Sequence, residues 1–301
     1  MGIYLASPNK EKKSEEGEFS TMSYGATSMQ GWRVNMEDSH IAKFNIVPDV
    51  HIFGVFDGHG GKEVALFVEK HFIEELLANA NFKNGVYDQA LTETFLRMDV
   101  LLSTPEGKKE LSFLKNGDDS KGYQADSFAG CTANVALIAK GELIVANAGD
   151  SRCIISSKGV AEEMSEDHKP ELPRERERIQ KAGGYITEGR INGNLNLSRA
   201  LGDLEYKRNT DLTPGEQLIS AVPEIKRRKL TSEDEFLVLG CDGIWETLSN
   251  QSISEFMAKR IAEGMRLTKI VEEFLDKILA PDTSTGIGCD NMSCILVKLK
   301  Q

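Results

Sequence analysis

The acids of this 301-residue chain fall at the ends of its apolar runs, and that placement restricts the possible fold more than any other feature. Asp57 follows Val55-Phe56, Asp150 follows the run Ile144 to Asn147, and Asp242 follows Phe236 to Gly240. Asp290 precedes Ser293 to Leu299, and Glu37-Asp38 precede His40 to Ile46. Several stand beside glycine, where backbone turns tightly and a carboxylate can project from a strand end. If those ends share one edge of the sheets, the carboxylates converge in a small volume. Such a cluster repels itself and raises its own pKa values unless divalent cations neutralise it. A single Asp beside Gly is ordinarily a turn residue. Five independent turns, however, need not be accompanied by Arg33 and His59.

The runs themselves have strand character: His40 to Ile46, Val50 to Phe56, Thr132 to Ala139, Leu143 to Ala148, Cys153 to Ser157, Phe236 to Leu239 and Ser293 to Leu299. Lys140-Gly141 reads as a tight hairpin turn between two of them. Helical spacing runs from Glu63 to Leu77, with Val64, Phe67, Val68, Phe72, Leu76 and Leu77 as its stripe. Asp88 reads as the N-cap of a helix towards Leu102. Further helices are expected over Arg174 to Ala182, Ser252 to Glu263 and Leu267 to Leu279, stopped by Gly183-Gly184, Gly264 and Pro281. Hairpin-grouped strands with helices in separate blocks predict an α+β chain of antiparallel sheets covered by helices. Ser103 to Asp126 reads as a long surface loop, and 167–217 as a flap inserted over a site. Residues 1–20 are expected to be a mobile tail, Pro8 to Glu18 being charged and poor in large apolar groups. The catalytic domain is then 21–301.

A formal net charge of -11 argues against nucleic-acid binding, which needs basic surface to displace counterions, and suits a collector of divalent cations. Five cysteines form no CxxC pair and are odd in number, so zinc and disulfide frameworks are not expected. No run is apolar enough to span a membrane, and residues 1–13 lack a secretory core. The expected setting is the cytoplasm, with the nucleus open. Met1-Gly2 raises N-myristoylation, although Ala6 stands where that pattern wants Ser or Thr, and one acyl chain holds a membrane weakly. Nothing requires an oligomer, so a monomer is expected. All-oxygen ligands favour Mg²⁺ or Mn²⁺ over Zn²⁺. A nucleotide P-loop is excluded at Gly58 to Lys62, because GxxxxGK[ST] is absent.

Six motifs stand in a telling order: Arg33-Val34-Asn35-Met36-Glu37-Asp38, Asp57-Gly58-His59-Gly60-Gly61, Asn147-Ala148-Gly149-Asp150-Ser151-Arg152, Ser198-Arg199-Ala200-Leu201-Gly202-Asp203, Cys241-Asp242-Gly243-Ile244-Trp245 and Asp290-Asn291. Together, over roughly Tyr24 to Leu299, they resemble the metal-dependent protein phosphatase family, the protein phosphatase 2C type. The resemblance implies two packed antiparallel sheets with helices on the outer faces, a four-layer αββα sandwich. It implies that Asp57 bridges two metals, that Asp242 and Asp290 hold one, and that Glu37 and the Gly58 carbonyl hold the other, with Asp38 beside them. A third, weaker metal is expected at Asp150 and Glu246 with Asp242, but the family usually has Asp where Glu246 stands, which puts that site in doubt.

The chemistry follows from the metals. Two divalent ions roughly 3.5–4 Å apart can share a water and lower its pKa from about 15.7 towards neutrality. The resulting hydroxide attacks phosphorus in line. Arg33 suits a bidentate fork onto phosphate oxygens, and His59 a proton donor to the departing seryl or threonyl oxygen. No cysteine has an arginine six positions on, so direct attack by water is expected rather than a phosphocysteine. His168 and Arg190 are expected to serve structure or peptide contact. The substrates are then phosphorylated proteins. Two alternatives stay open: a metal phosphoesterase of small molecules, and a non-enzymatic phosphoprotein-binding relative.

Overall fold

A computed structural model describes residues 4–20, 22–117 and 129–299. Two antiparallel sheets form its centre. The first has six strands in the order β1 (Tyr4–Phe19), β2 (Met22–Arg33), β16 (Met292–Lys298), β15 (Asp234–Gly240), β9 (Arg152–Ser157) and β10 (Val160–Glu163). The second runs β14 (Glu224–Lys229), β8 (Glu142–Ala148), β7 (Ala133–Ala139), β4 (Val50–Phe56) and β3 (Ser39–Val47). Lys140 and Gly141, with φ of 52° and 75°, turn the β7–β8 hairpin as expected.

Why the layers stack follows from β4, β7 and β8, which are buried almost throughout. Their residues alternate between two cores. Phe53, Val55, Ala136, Ile138, Leu143 and Val145 join the core shared with the first sheet. Ile52, Phe56, Val135, Leu137, Ile144 and Ala146 join a second core. That second core is closed by α1 (Glu63–Ala78), α2 (Ala80–Lys83), α3 (Tyr87–Ser103) and α4 (Pro105–Asn116). A strand covered on both faces reads as a continuous apolar run rather than an alternating one, as these do. On the outer face of the first sheet lie α7 (Asn250–Ala262) and α8 (Leu267–Ile278). The stripe Ile270, Val271, Phe274, Leu275 and Ile278 on α8 is wholly buried. Its N-terminus lies directly on β2: a Cβ at Gly25 would sit 2.4 Å from the Thr268 nitrogen. The result is the expected α+β sandwich.

Between β10 and β14 the chain leaves the sandwich in the segment read above as a flap. This segment holds α5 (Pro173–Lys181), the small hairpin β11 (Ile186–Thr187) and β12 (Arg190–Ile191), and β13 (Leu201–Gly202). It has its own small core of Ile179, Ile191, Leu197, Ala200 and Ile219. One tie to the body is a three-stranded miniature sheet in the order β13, β6 (Gly130–Cys131), β5 (Gly58–His59). The remaining short helix, α6 (Asp242–Trp245), follows β15.

Three expectations are corrected. The charged stretch Pro8 to Glu18 lies within β1, an edge strand paired with β2. Its polar side chains are consistent with an edge, where charge discourages pairing with other chains. They also bind α8: Lys12 to Asp276 at 2.6 Å, Ser14 to Glu272 at 2.8 Å, and Glu16 to Arg266 at 2.5 Å. The first part of the expected loop Ser103 to Asp126 is helix α4, with Thr104 as N-cap, Pro105 in the first turn and Gly117 as its left-handed stop. The rest of that stretch, from residue 118, falls outside the described residues, as does Gly2. Asp88 does not cap α3 but lies in its first turn, where it pairs with Arg227 at 3.1 Å.

Candidate metal centre

The acids do converge. One cleft of about 450 Å³ is lined by Arg33, Glu37, Asp57, Gly58, His59, Asp150, Asp242 and Asp290, among others. Asp57 leaves β4 and is fixed through its backbone, which donates to the Thr132 hydroxyl at 3.1 Å and accepts from the Thr132 amide at 2.9 Å. Gly58 must be glycine: a Cβ there would stand 2.4 Å from the Glu37 carbonyl oxygen, so this close approach sets Glu37 against the Asp57 loop. Asp242 opens α6 at the end of β15, and a Cβ on the next residue, Gly243, would lie 2.1 Å from the Asn291 carbonyl oxygen.

Asn291 joins the walls. Its Oδ1 accepts from the Glu37 amide at 2.9 Å, and its Nδ2 donates to the carbonyls of Gln30 and Asn35 at 2.8 and 2.9 Å. The turn carrying Asp150 is shaped by Asn147, whose Nδ2 donates to the Gly149 and Glu166 carbonyls. His168 is fully buried, and its Nδ1 accepts from the Gly149 amide at 3.2 Å, the structural role expected of it. Arg190 is exposed and donates to the Asn194 carbonyl.

Among the described residues, ligand atoms gather in two groups: Asp38, Asp57 and Cys241 in one, Asp242, Glu246 and Asp290 in the other, each within 4.8 Å. Burial and mutual repulsion raise the carboxyl pKa values. Asp38 is pushed up to about 6, chiefly by burial. Asp57 is held well above the carboxylate range by burial, then by Asp38, Asp242 and Asp290; Asp242 is raised likewise by burial and by Asp150 and Asp290. Asp38 Oδ2 is buried without a hydrogen-bond partner. An acid cluster with an orphaned oxygen is what a cation fits, and oxygen donors suit Mg²⁺ or Mn²⁺.

The positive groups are arranged around this cluster. Arg33 Nη2 donates to Asp290 Oδ2 at 2.5 Å, while its Nε has no partner. Lys169 forms an ion pair with Asp150, which belongs to neither ligand group. His59 Nε2 lies 2.7 Å from Asp203 Oδ2; burial pushes the imidazole pKa down, but the Asp203 charge and hydrogen bond outweigh it and raise it. No spacing in the sequence gives Cys241, Lys169, Asp203 or Asn291 a role. Cys241 is a neutral wall, since burial and the neighbouring carboxylates hold its thiol pKa well above the usual value. Only the position of Cys241, Asp203 and Asn291 inside the six motifs pointed to them.

The model of the family described as Protein phosphatase 2C matches residues 22–287. Protein phosphatase 2C 1 of Paramecium tetraurelia is 52% identical over 305 residues, covering 100% of both chains. Probable protein phosphatase 2C 11 of Oryza sativa subsp. japonica is 45% identical over 100% of this chain and 91% of its own. The crystal structure of a serine-threonine phosphatase 2C from Toxoplasma gondii superposes with a TM-score of 0.76 over 99% of each chain, at 22% identity. This chain belongs to the protein phosphatase 2C family, whose members are serine/threonine phosphatases.

Proposed function

We propose that this chain hydrolyses phosphoserine and phosphothreonine in proteins, and that its cleft acts with two Mg²⁺ or Mn²⁺ ions. One observation carries the reading: carboxylates from distant parts of the chain are gathered at pKa-raising proximity, and Asp38 keeps a buried oxygen unpaired. In this reading Asp57 would serve both ions, Asp242 and Asp290 would hold one, and Glu37 with the Gly58 carbonyl would hold the other. Asp38 stands beside them. Glu246 and Asp150, with Asp242, would form a weaker third site, for which Lys169 competes through its pair with Asp150. When bound, the ions supply positive charge and acidify water in the cleft.

The chain's own side chains then do the rest. Arg33 is held by Asp290 on one side and turns its remaining donors towards a phosphate dianion, orienting it. His59 delivers a proton to the departing seryl or threonyl oxygen. The catalytic domain takes in β1 as well as the expected 21–301, with 167–217 as its flap.

The test is phosphate release from a phosphothreonine peptide with Mn²⁺ or Mg²⁺, against the same protein in excess chelator. Release that needs the ion is the expected result. A folded protein that binds the peptide and releases nothing with either ion would instead be a phosphoprotein-binding module. Preference for sugar phosphates or nucleotides would make it a small-molecule phosphoesterase.

A further inference from the structure

Beside the cleft, one carboxylate is held in a manner that the fold alone does not explain. Asp203 is 1% exposed, has a left-handed backbone with φ of 49°, and keeps Oδ1 buried without a hydrogen-bond partner. A non-glycine residue in that conformation and an orphaned carboxylate oxygen both cost stability. Its Oδ2 meets His59 Nε2 at 2.7 Å. The path between them crosses Gly130: a Cβ there would lie 2.4 Å from Asp203 Oδ2 and 2.7 Å from His59 Nε2. In the miniature sheet, Gly130 pairs with His59 on one side and Gly202 on the other, so strand register delivers the contact. The Asp203 amide donates to the Ala129 carbonyl at 3.0 Å, and the Gly202 amide donates to Asp99 Oδ1 at 2.8 Å. Asp99 is itself paired with Lys207 at 2.5 Å. Asp203 is therefore clamped from the body and from the flap at once.

We propose that Asp203 is the positioning residue for His59: it accepts the Nε2–H, fixes the ring's tautomer and tilt, and leaves Nδ1 as the nitrogen that serves the substrate. Nδ1 makes no hydrogen bond to a described residue, and the ring lines the cleft. A carboxylate that orients an imidazole and stabilises its protonated form is a general device of acid–base catalysis. As water's oxygen bonds to phosphorus, the bond from phosphorus to the threonyl oxygen breaks and its electron pair stays on that oxygen. The oxygen takes the proton from Nδ1, and the imidazole recovers one released by the attacking water. This inference rests on the phosphatase reading above.

A positioning role makes a prediction that a merely structural one does not. An alkoxide leaves poorly without a proton, whereas nitrophenolate leaves unaided. With Mn²⁺ present, Asp203→Asn should lower kcat on a phosphothreonine peptide roughly 10- to 100-fold, and on p-nitrophenyl phosphate several-fold less. The double variant with His59→Gln should be no slower on the peptide than His59→Gln alone, since Asp203 acts through that ring. Should Asp203→Asn fail to fold, Gly130→Ala intrudes on the same contact and should show the same difference between substrates. Equal losses on both substrates, or losses that multiply in the double variant, would overturn the proposal while leaving the phosphatase reading intact. A wild-type protein inactive on both substrates would overturn the two together.

Discussion

Acids at two places in this molecule have opposite fates. In the cleft, Asp38, Asp57 and Asp242 face one another and their pKa values rise. In the flap, Glu175 is 1% exposed and yet its pKa is lowered to about 2. Burial alone would raise it, but Arg199 donates at 2.6 Å, Ser198 at 2.8 Å, and Arg178 pairs with it as well. Arg178 in turn donates to the carbonyls of Ser198 and Gln217, and Arg199 to that of Val222. The flap's carboxylate is neutralised by the chain that bears it, so it holds a fold together. The carboxylates of the cleft lack such partners in number, and a cation must come from outside. Burial of an acid thus says little until its counter-charge is found.

Three experiments can break or sharpen this contrast. The largest effect is expected at Asp57. Asp57→Asn should reduce metal-dependent turnover of a phosphothreonine peptide by about 10³-fold or more, yet raise the melting temperature in chelator, because one member of a repelling cluster loses its charge. A fall in that temperature would show the cluster already compensated. Next, Glu175→Gln should lower stability by about 3–5 kcal/mol, because arginines remain buried without their anion. Thermal melting should register a drop of roughly 10 °C. A neutral outcome would reduce the flap's network to decoration.

The smallest effect is the pH response, and its sign differs between the two groups. Asp38 in the folded chain titrates near 6, above its unfolded value of 3.8, so in chelator its contribution is most favourable below about 4 and is lost as pH rises towards 6. Glu175 titrates near 2, below 4.5, so its stabilisation is present above about 4.5 and is lost as pH falls towards 2. Melting curves in chelator should therefore show a shallow decline from pH 4 to 6 that Mn²⁺ removes, and Glu175→Gln should flatten only the acid side. A decline unchanged by Mn²⁺ would assign it to other groups.

Much of the sandwich could be read from the residues because β4, β7, β8 and β15 are apolar runs bounded by acids and glycines. What stayed hidden was polar. β1 looks unstructured because its side chains face water and α8 rather than a core. β14, EIKRRK, is charged along its length and forms the other sheet's edge. Arg227 and Arg228 there find Asp88, Glu142, Glu162 and Asp234 only once the chain has folded. The acids of the cleft were visible as a pattern of strand ends, whereas the partners Lys169 and Asp203 depend on how the flap returns to the body. No local spacing encodes that return. For the same reason Glu175 reads as one acid in a charged helix until Arg199, far along the chain, closes on it.

Asn291 carries a consequence for the protein's ageing. Its amide is engaged at both ends, the oxygen accepting from the Glu37 amide and the nitrogen donating to the Gln30 and Asn35 carbonyls. Asparagine is chemically labile, and deamidation would turn that nitrogen into an oxygen facing two carbonyls. The sandwich, held by its apolar layers, would survive the change. The Glu37 wall would come loose from the Asp290 wall, so a stored sample would lose its grip on metal while its melting curve still looked sound.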